Sequence, residues 1–174
     1  MPPGQWGGGE LWFLAWRNGG RRPVPRCPEG TCEPPRSVPD FVGRSAELDR
    51  LREHCADSTA DGPAPVVVTH GRPGLGKSAL AVDAANQLRD RFPDGVFFLD
   101  LRGVDATPVP PAEGLARLLQ ALGVSARRIS AELVERSAQF RAALRERRSI
   151  VILDNAGHET QVRPLLPGRV PAWS

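Results

Sequence analysis

The segment GRPGLGKS, residues 71–78, constrains the fold of this 174-residue chain more than any other segment. It fits the pattern G-x-x-x-x-G-K-[ST], in which glycines let the backbone wrap around a phosphate and point its N–H groups inward. The β-branched run VVVTH before the segment predicts a buried strand, and KSALAVDAANQLRDRF after it predicts a helix. A strand, a glycine-rich loop and a helix in this order are the context in which the pattern binds phosphate.

Lys77 lies inside this loop and is the single lysine of the chain, since every other residue in the count of 23 Lys+Arg is an arginine. A lysine ammonium is a compact charge on a flexible stem, which suits a small phosphate cradle better than the planar fork of arginine. We therefore expect Lys77 to contact the outer phosphates and the Ser78 hydroxyl to bind Mg²⁺. The alternative is a glycine-rich turn that contains a lysine by chance.

Two aspartates at the ends of predicted strands are candidates for holding the metal. The run GVFFLDL, residues 95–101, contains Asp100, and the run SIVILD, residues 149–154, ends in Asp154. In open α/β sheets, ligands bind beyond the carboxyl ends of the strands. We favour Asp154 because four consecutive aliphatic residues precede it, whereas Leu101 indicates that the first strand continues past Asp100. Either carboxylate could instead cap a loop.

Short apolar strands alternate with amphipathic helices from residue 40 to residue 168. Besides the helix after the loop, helical periodicity marks residues 45–57, 112–123 and 129–148. Alternation of this kind predicts βαβ units and a parallel sheet. The predicted fold class is therefore α/β, a three-layer P-loop NTPase sheet.

The ends of the chain differ from this globular part. Residues 1–39 are rich in Pro, Gly and Arg and are predicted to form a disordered tail, while residues 169–174 form a short C-terminal tail. The run LWFLAW provides six apolar residues where a membrane helix needs about twenty. The N-terminus also lacks the basic start and cleavage site of a signal peptide. A cytoplasmic protein with no membrane partner is expected.

Charge and cysteine content exclude two further classes of site. The net charge of +3 is spread over the chain, and the densest basic run, RAALRERR, is interpreted as the solvated face of a helix. Direct nucleic-acid binding is therefore not expected. Three cysteines do not form a complete disulfide framework. Reduced thiols are favoured over a zinc site made from Cys27, Cys32, His54 and Cys55.

Three segments together resemble the NB-ARC family of signal-transduction ATPases. VPDFVGRSAEL, residues 38–48, is similar to the family's hhGRExE segment, and GRPGLGKSALA is similar to its Walker A loop. SIVILDNA with QVRPLLPG is similar to its Walker B strand and the segment that follows. The set covers residues 38–168 and is most similar to the bacterial branch found in multidomain regulators with tetratricopeptide repeats.

This resemblance implies a switch module in signal transduction or transcription regulation that binds ATP or ADP with Mg²⁺, ADP at least as well as ATP. The backbone of Val42 would contact the adenine, Arg44 would lie against the nucleotide, and Asp154 would serve Mg²⁺. Lys77 and Asp154 would be the catalytic residues. The resemblance also allows self-association through the nucleotide-binding domain. The nucleotide would be cradled by Gly71, Gly74, Leu75, Gly76, Lys77, Ser78 and Ala79.

Two departures from the family pattern favour binding over hydrolysis. Asn155 follows Asp154 where many relatives have a second acid, and an amide can orient a water but cannot accept its proton. Ser45 stands where the family has the first glutamate of its segment, which leaves Glu47. A different P-loop enzyme such as a small kinase, and an interaction remnant without catalysis, are the alternatives.

The family also has a sensor strand between the Walker A and Walker B strands, followed by a helical lid and a winged helix. The chain stops before all three, so we expect a fragment whose sheet is incomplete at the C-terminus. Two buried strands would then lack their central partner. Because folded domains are stable by only about 5–15 kcal/mol, we expect broad, non-cooperative unfolding.

Overall fold

A computed structural model of the protein describes the backbone of Glu10–Trp16 together with residues 32, 34–35, 43–56 and 64–166. Its strands are β1 (Glu10–Trp16), β2 (Val66–Thr69), β3 (Val96–Asp100) and β4 (Ser149–Ala156). Its helices are α1 (Ser45–Ala56), α2 (Lys77–Gln87), α3 (Pro111–Ala121), α4 (Leu133–Arg145) and α5 (Glu159–Val162). The alternation of strands and helices confirms the α/β class. None of the described helices has the length and apolar character needed to cross a membrane.

The four strands form one sheet in the order β2-β1-β4-β3. Strands β3 and β4 are parallel, with Val96 opposite Ile150 and Asp100 opposite Asp154. Strand β1 is antiparallel to both of its neighbours. The described sheet is therefore mixed, and the expected parallel pairing holds between β3 and β4.

Strand β1 lies between β2 and β4, in the position that the sequence analysis left without a strand. This corrects two expectations: that Glu10–Trp16 belongs to a disordered tail, and that β2 and β4 lack a central partner. Unpaired backbone groups on neighbouring buried strands are costly, and the apolar run LWFLAW has the composition of a strand buried in a sheet. The reason for expecting non-cooperative unfolding is thereby removed.

Helices cover both faces of the sheet. Ile150 and Ile152 of β4 belong to a hydrophobic cluster with α1 and α2. Val151 and Leu153 belong to a second cluster with α3 and α4. All four side chains are at most 1% exposed. Alternate residues of β4 therefore contact two different helical layers, which explains why this strand is a continuous aliphatic run.

The helices bury the faces that their periodicity predicts, with one exception. In α4, Phe140 and Leu144 are buried, but Leu133 is 38% exposed. Helix α4 begins at Leu133, four residues later than predicted, so this leucine lies in an exposed first turn. Four leucines recur at helical spacing along α3 and at its end, and all are at most 1% exposed: Leu115, Leu118, Leu119 and Leu122.

Cys32, like β1, lies in the segment that was expected to be a disordered tail but is part of the folded structure. It is 2% exposed and packs in the cluster that contains Phe97 and Leu99. Its carbonyl oxygen accepts a hydrogen bond from the Phe98 N–H at 2.9 Å. Because β3 is the outer strand of the described sheet, this contact pairs an amide at the sheet edge. Cys55 is buried in the other cluster, so these two thiols lie on opposite faces.

Candidate phosphate-binding site

The loop between β2 and α2 depends on glycines with positive φ. Gly74 has φ 81° and Gly76 has φ 73°, values that residues with a Cβ adopt rarely. Gly76 directly precedes α2, and none of the described side chains caps this helix. Within the described part of the chain, the first N–H groups of α2 therefore lack a side-chain cap. Since the N-terminal end of a helix carries a partial positive charge, this end can receive an anion.

Lys77 is half-buried, and its ammonium group turns back towards the loop. Its Nζ donates hydrogen bonds to the carbonyl oxygens of Gly71 at 2.8 Å and Arg72 at 3.1 Å. The two carbonyls hold the positive charge beside the N-terminus of α2. Phosphate oxygens could exchange with these carbonyl oxygens as acceptors, because an ammonium group has three donors that rotate on a flexible stem.

The two residues expected to bind Mg²⁺ lie in contact with each other. The Ser78 hydroxyl forms a hydrogen bond with the Asp154 carboxylate, which is 5% exposed. Oδ1 of Asp154 also accepts the N–H of Asn155 at 2.9 Å. Ser78 belongs to α2 and Asp154 to β4, so the fold joins two distant parts of the chain. A hydroxyl and a carboxylate are hard oxygen ligands of the kind that Mg²⁺ prefers, and this pair fits such an ion.

Burial raises the pKa of the Asp154 carboxyl above its ordinary value. Hydrogen bonds from Ser78 and Asn155 lower this pKa, the nearby charge of Asp100 raises it further, and the charge of Lys77 lowers it. Compared with the unfolded chain, the folded chain thus binds the proton of this carboxyl more tightly. This contribution to the free energy of unfolding is fully present below the ordinary pKa of aspartate and is lost as pH rises through the raised pKa.

Asp100 lies beside Asp154 in the sheet but has different partners. Its Oδ1 accepts hydrogen bonds from Asn155 Nδ2 at 3.1 Å and from the Arg102 N–H at 2.9 Å. The strand ends are the reverse of those predicted, because β3 stops at Asp100 whereas β4 continues past Asp154. Contact with Ser78, rather than the end of the strand, is what distinguishes Asp154 from Asp100 in the structure.

Arg44 reaches the phosphate loop from the residue before α1. Its Nη2 donates to the carbonyl oxygen of Leu75 at 2.5 Å, and the Leu75 side chain is 50% exposed. The guanidinium group therefore lies at the loop where the resemblance expects it to meet a nucleotide. Val42, the expected adenine contact, lies outside the described residues, and its role stays a prediction.

The loops that follow β3 and β4 cross at two glycines that the sequence analysis did not identify. The N–H of Gly103 donates to the carbonyl oxygen of Asn155 at 2.6 Å. A Cβ atom on Gly103 would overlap the backbone nitrogen of Gly157, so only glycine permits this approach. One signal was present in the sequence, because each glycine follows its strand aspartate, Asp100 or Asp154, by three residues.

Gln161 of α5 joins the same two loops from beneath and was also missed. Gln161 is buried, with 7% of its surface exposed. Nε2 donates to the carbonyl oxygens of Leu101 at 2.8 Å and Val109 at 3.0 Å, and Oε1 accepts the Gly157 N–H at 3.0 Å. These bonds fix the segments that follow both aspartates. A lone glutamine in a four-residue helix gives no sequence pattern from which this role could be predicted.

A family profile for the AAA ATPase domain matches residues 40–167. The chain belongs to the AAA ATPase domain family. Together with the α/β sheet, the match confirms the predicted P-loop NTPase class.

Two curated relatives carry the same description, Regulatory protein AfsR. The protein from Streptomyces griseus is 44% identical over 135 residues, and the protein from Streptomyces coelicolor is 42% identical over 138 residues. Each match covers 77% of this chain and 14% of the relative, so the chain spans about one seventh of the length of these proteins. No solved structure matches the chain.

Replacing Gln161 with alanine should lower the free energy of unfolding by at least about 2 kcal/mol, because a buried polar group without a partner costs about 1–3 kcal/mol. Three backbone groups would lose a hydrogen bond to Gln161, although the Leu101 carbonyl oxygen would keep the one it accepts from the Val109 N–H. Gln120→Ala, at an exposed position of α3, is the matched control and should change this quantity by less than about 0.5 kcal/mol. Urea unfolding measures both, and equal losses would show that Gln161 does not fix the loops.

Proposed function

We propose that this AAA ATPase domain binds an adenine nucleotide with Mg²⁺ at the loop between β2 and α2. The observation that carries the proposal is the hydrogen bond between Ser78 and Asp154 beside the uncapped N-terminus of α2. It unites two oxygen ligands for the metal with backbone donors for phosphate oxygens. Lys77 adds a positive charge at the same place.

Each side chain has a separate role in this proposal. The N–H groups of residues 74–79 bind phosphate oxygens, and Lys77 exchanges its two carbonyl partners for the outer phosphates. Ser78 and Asp154 hold Mg²⁺, which neutralises charge on the phosphates when it is bound. Since burial raises the pKa of Asp154, a cation at this position would offset the cost of ionising the carboxyl. Arg44 lies against the nucleotide, and Val42 contacts the adenine.

We also propose that residues 40–168 form a nucleotide switch of NB-ARC type within a larger regulatory protein. Support comes from the FVGR segment ahead of the loop and from the contact of Arg44 with Leu75. The printed description of the two relatives as regulatory proteins agrees with such a role. Binding of ADP at least as tightly as ATP, and self-association through this domain, are part of the proposal.

Hydrolysis by this chain is proposed to be weak. Lys77 and Asp154 can stabilise charge on the phosphates, but a water that attacks them also needs a proton acceptor. The residue after Asp154 is Asn155, whose amide donates to Asp100 and cannot accept a proton. The arrangement therefore supports binding more strongly than turnover.

Lys77→Ala should abolish binding of ADP and ATP, because the variant loses the flexible charge that contacts the outer phosphates. Arg72→Ala removes one positive charge from an exposed position in the same loop and is the matched control. It should bind nucleotide as the parent chain does. Isothermal titration calorimetry measures all three proteins. An equal loss in both variants would attribute binding to net charge and would contradict the assigned role of Lys77.

Asp154→Ala should remove the tightening of ATP binding by Mg²⁺, because it deletes the carboxylate that lies against Ser78. Asp100→Ala should keep the Mg²⁺ dependence, since the Asp100 carboxylate is occupied by Asn155 and Arg102. The measurement is ATP affinity with and without Mg²⁺ for each variant. If the dependence were lost with Asp100→Ala and kept with Asp154→Ala, β3 would provide the metal ligand instead of β4.

The parent chain should hydrolyse ATP no faster than the Lys77→Ala variant, because the residue after Asp154 is Asn155, whose amide cannot take a proton from water. Phosphate release from the 174-residue chain with ATP and Mg²⁺ measures the rate. Hydrolysis in the parent chain that disappears in Lys77→Ala would show that catalysis uses a base other than the residue after Asp154.

A further inference from the structure

Strand β1 lies between the two strands that carry the proposed nucleotide site: β2, which leads into the phosphate loop, and β4, which contains Asp154. Among the described strands, β2 pairs with β1, in a register that sets Leu14 opposite Val66 and Leu11 opposite Thr69. The phosphate loop begins at Gly71, two residues after the end of β2. Strand β2, which leads into the loop, is therefore linked to β4, the strand that carries Asp154, by backbone pairing with β1.

The pairing of β1 with β4 is irregular at the acid itself. Trp12 lies opposite Leu153 and Glu10 lies opposite Ala156, so two residues of β4, Asp154 and Asn155, stand against one residue of β1. This is a β-bulge, a device that bends a strand and re-aims a side chain. Asn155 has φ 54°, which is consistent with the altered backbone at the bulge. The irregular pairing with β1 thus falls at the residue that carries the Asp154 carboxylate.

Ser78 lies in the helix that follows β2, and Asp154 lies in β4. Their contact therefore joins segments whose strands are separated by β1. Strands in a sheet lie about 4.8 Å apart, so β2 and β4 are separated by about twice that distance. Packing of α2 on Ile150 and Ile152 also holds the two halves together, but apolar packing is not directional. Backbone pairing along β1 fixes the position of β2 along the strand direction, which packing leaves open.

We propose that Glu10–Trp16 is a positioning strand of the nucleotide site. It fills the slot between β2 and β4, places the phosphate loop relative to Asp154, and is required for nucleotide binding. The slot recognises an extended apolar segment through backbone hydrogen bonds in the antiparallel direction, and its occupant is this part of the same chain. The affinity readout below rests on the proposed function, whereas the hydrogen-exchange readout does not.

The first test is amide hydrogen exchange on the unmodified 174-residue chain. The amides of Glu10–Trp16 should exchange slowly, because β1 lies between β2 and β4 and is paired with both. The amides of Val66–Thr69 that donate to β1 should be protected by the same pairing. Exchange of Glu10–Trp16 at the rate of an unstructured peptide would overturn the proposal, whether or not the chain binds nucleotide.

The second test compares Phe13→Pro with Asn18→Pro in the full chain. Proline cannot donate to a ladder, so Phe13→Pro should weaken ADP binding by at least about tenfold, while Asn18→Pro, beyond the end of β1, should not. The amides of Val66–Thr69 should lose protection in Phe13→Pro, and those of α3 should keep it. Equal loss at α3 would mean that β1 supports the whole fold rather than the site, which would overturn the positioning role.

A peptide with the sequence ELWFLAW, extended by lysines for solubility, provides the third comparison. Added to Phe13→Pro or to a chain lacking residues 1–17, it should restore both ADP affinity and protection of Val66–Thr69. If the peptide restored protection but no protein bound ADP, the parent included, the proposed function would be wrong. The inference that β1 positions β2 and the phosphate loop would still stand. Parent-like ADP binding by the shortened chain without peptide would overturn the strand inference and leave the proposed function standing.

Discussion

Backbone hydrogen bonding along β1 sets the geometry on which both the phosphate loop and Asp154 rely. Strands β2 and β4 would each present unpaired N–H and C=O groups to the other if nothing lay between them, and buried groups of this kind are almost always paired. The chain meets this requirement with Glu10–Trp16, which runs antiparallel to both neighbours. One consequence is the bulge at Asp154 and Asn155, so the strand that completes the sheet also shapes the acid end of the site.

Groups of the protein bind both charged side chains of the site. Lys77 is bound to two carbonyl oxygens of its own loop, and the Asp154 carboxyl is bound by the Ser78 hydroxyl. Burial nevertheless leaves Asp154 with a raised pKa, so its ionised form is not fully stabilised by these contacts. A site of this kind gains more from a divalent cation than an exposed carboxylate would, because electrostatic attraction is stronger where water is excluded.

The second residue of the bulge, Asn155, combines a conformational role with a chemical one. Its φ of 54° lies in the left-handed region, which asparagine tolerates better than most residues. Its amide donates to Asp100, and its carbonyl oxygen accepts the Gly103 N–H where the two loops cross. An asparagine at this position therefore fits the local backbone, and its amide cannot accept a proton from water.

Much of the site was visible in the sequence because it is local. The loop pattern around Lys77 and the helix that follows it depend on neighbouring residues, and the aliphatic run before Asp154 is explained by burial on both faces. The leucine stripe at α3 followed from helical periodicity alone. These features need no knowledge of how distant segments pack.

The contacts between distant segments could not be predicted in this way. The apolar run of β1 is too short for its periodicity to show that it forms a strand. Its position between β2 and β4 depends on pairing with backbone groups of distant segments, which the sequence does not reveal. The different partners of Asp100 and Asp154 depend on packing, which sets Ser78 against Asp154 and the Asn155 amide against Asp100. The phosphate loop, the helices and the aliphatic strands could be predicted because each follows from local periodicity and chemistry. The central strand and the partners of each acid could not, because hydrogen bonds between segments far apart in sequence exist only after the chain has folded.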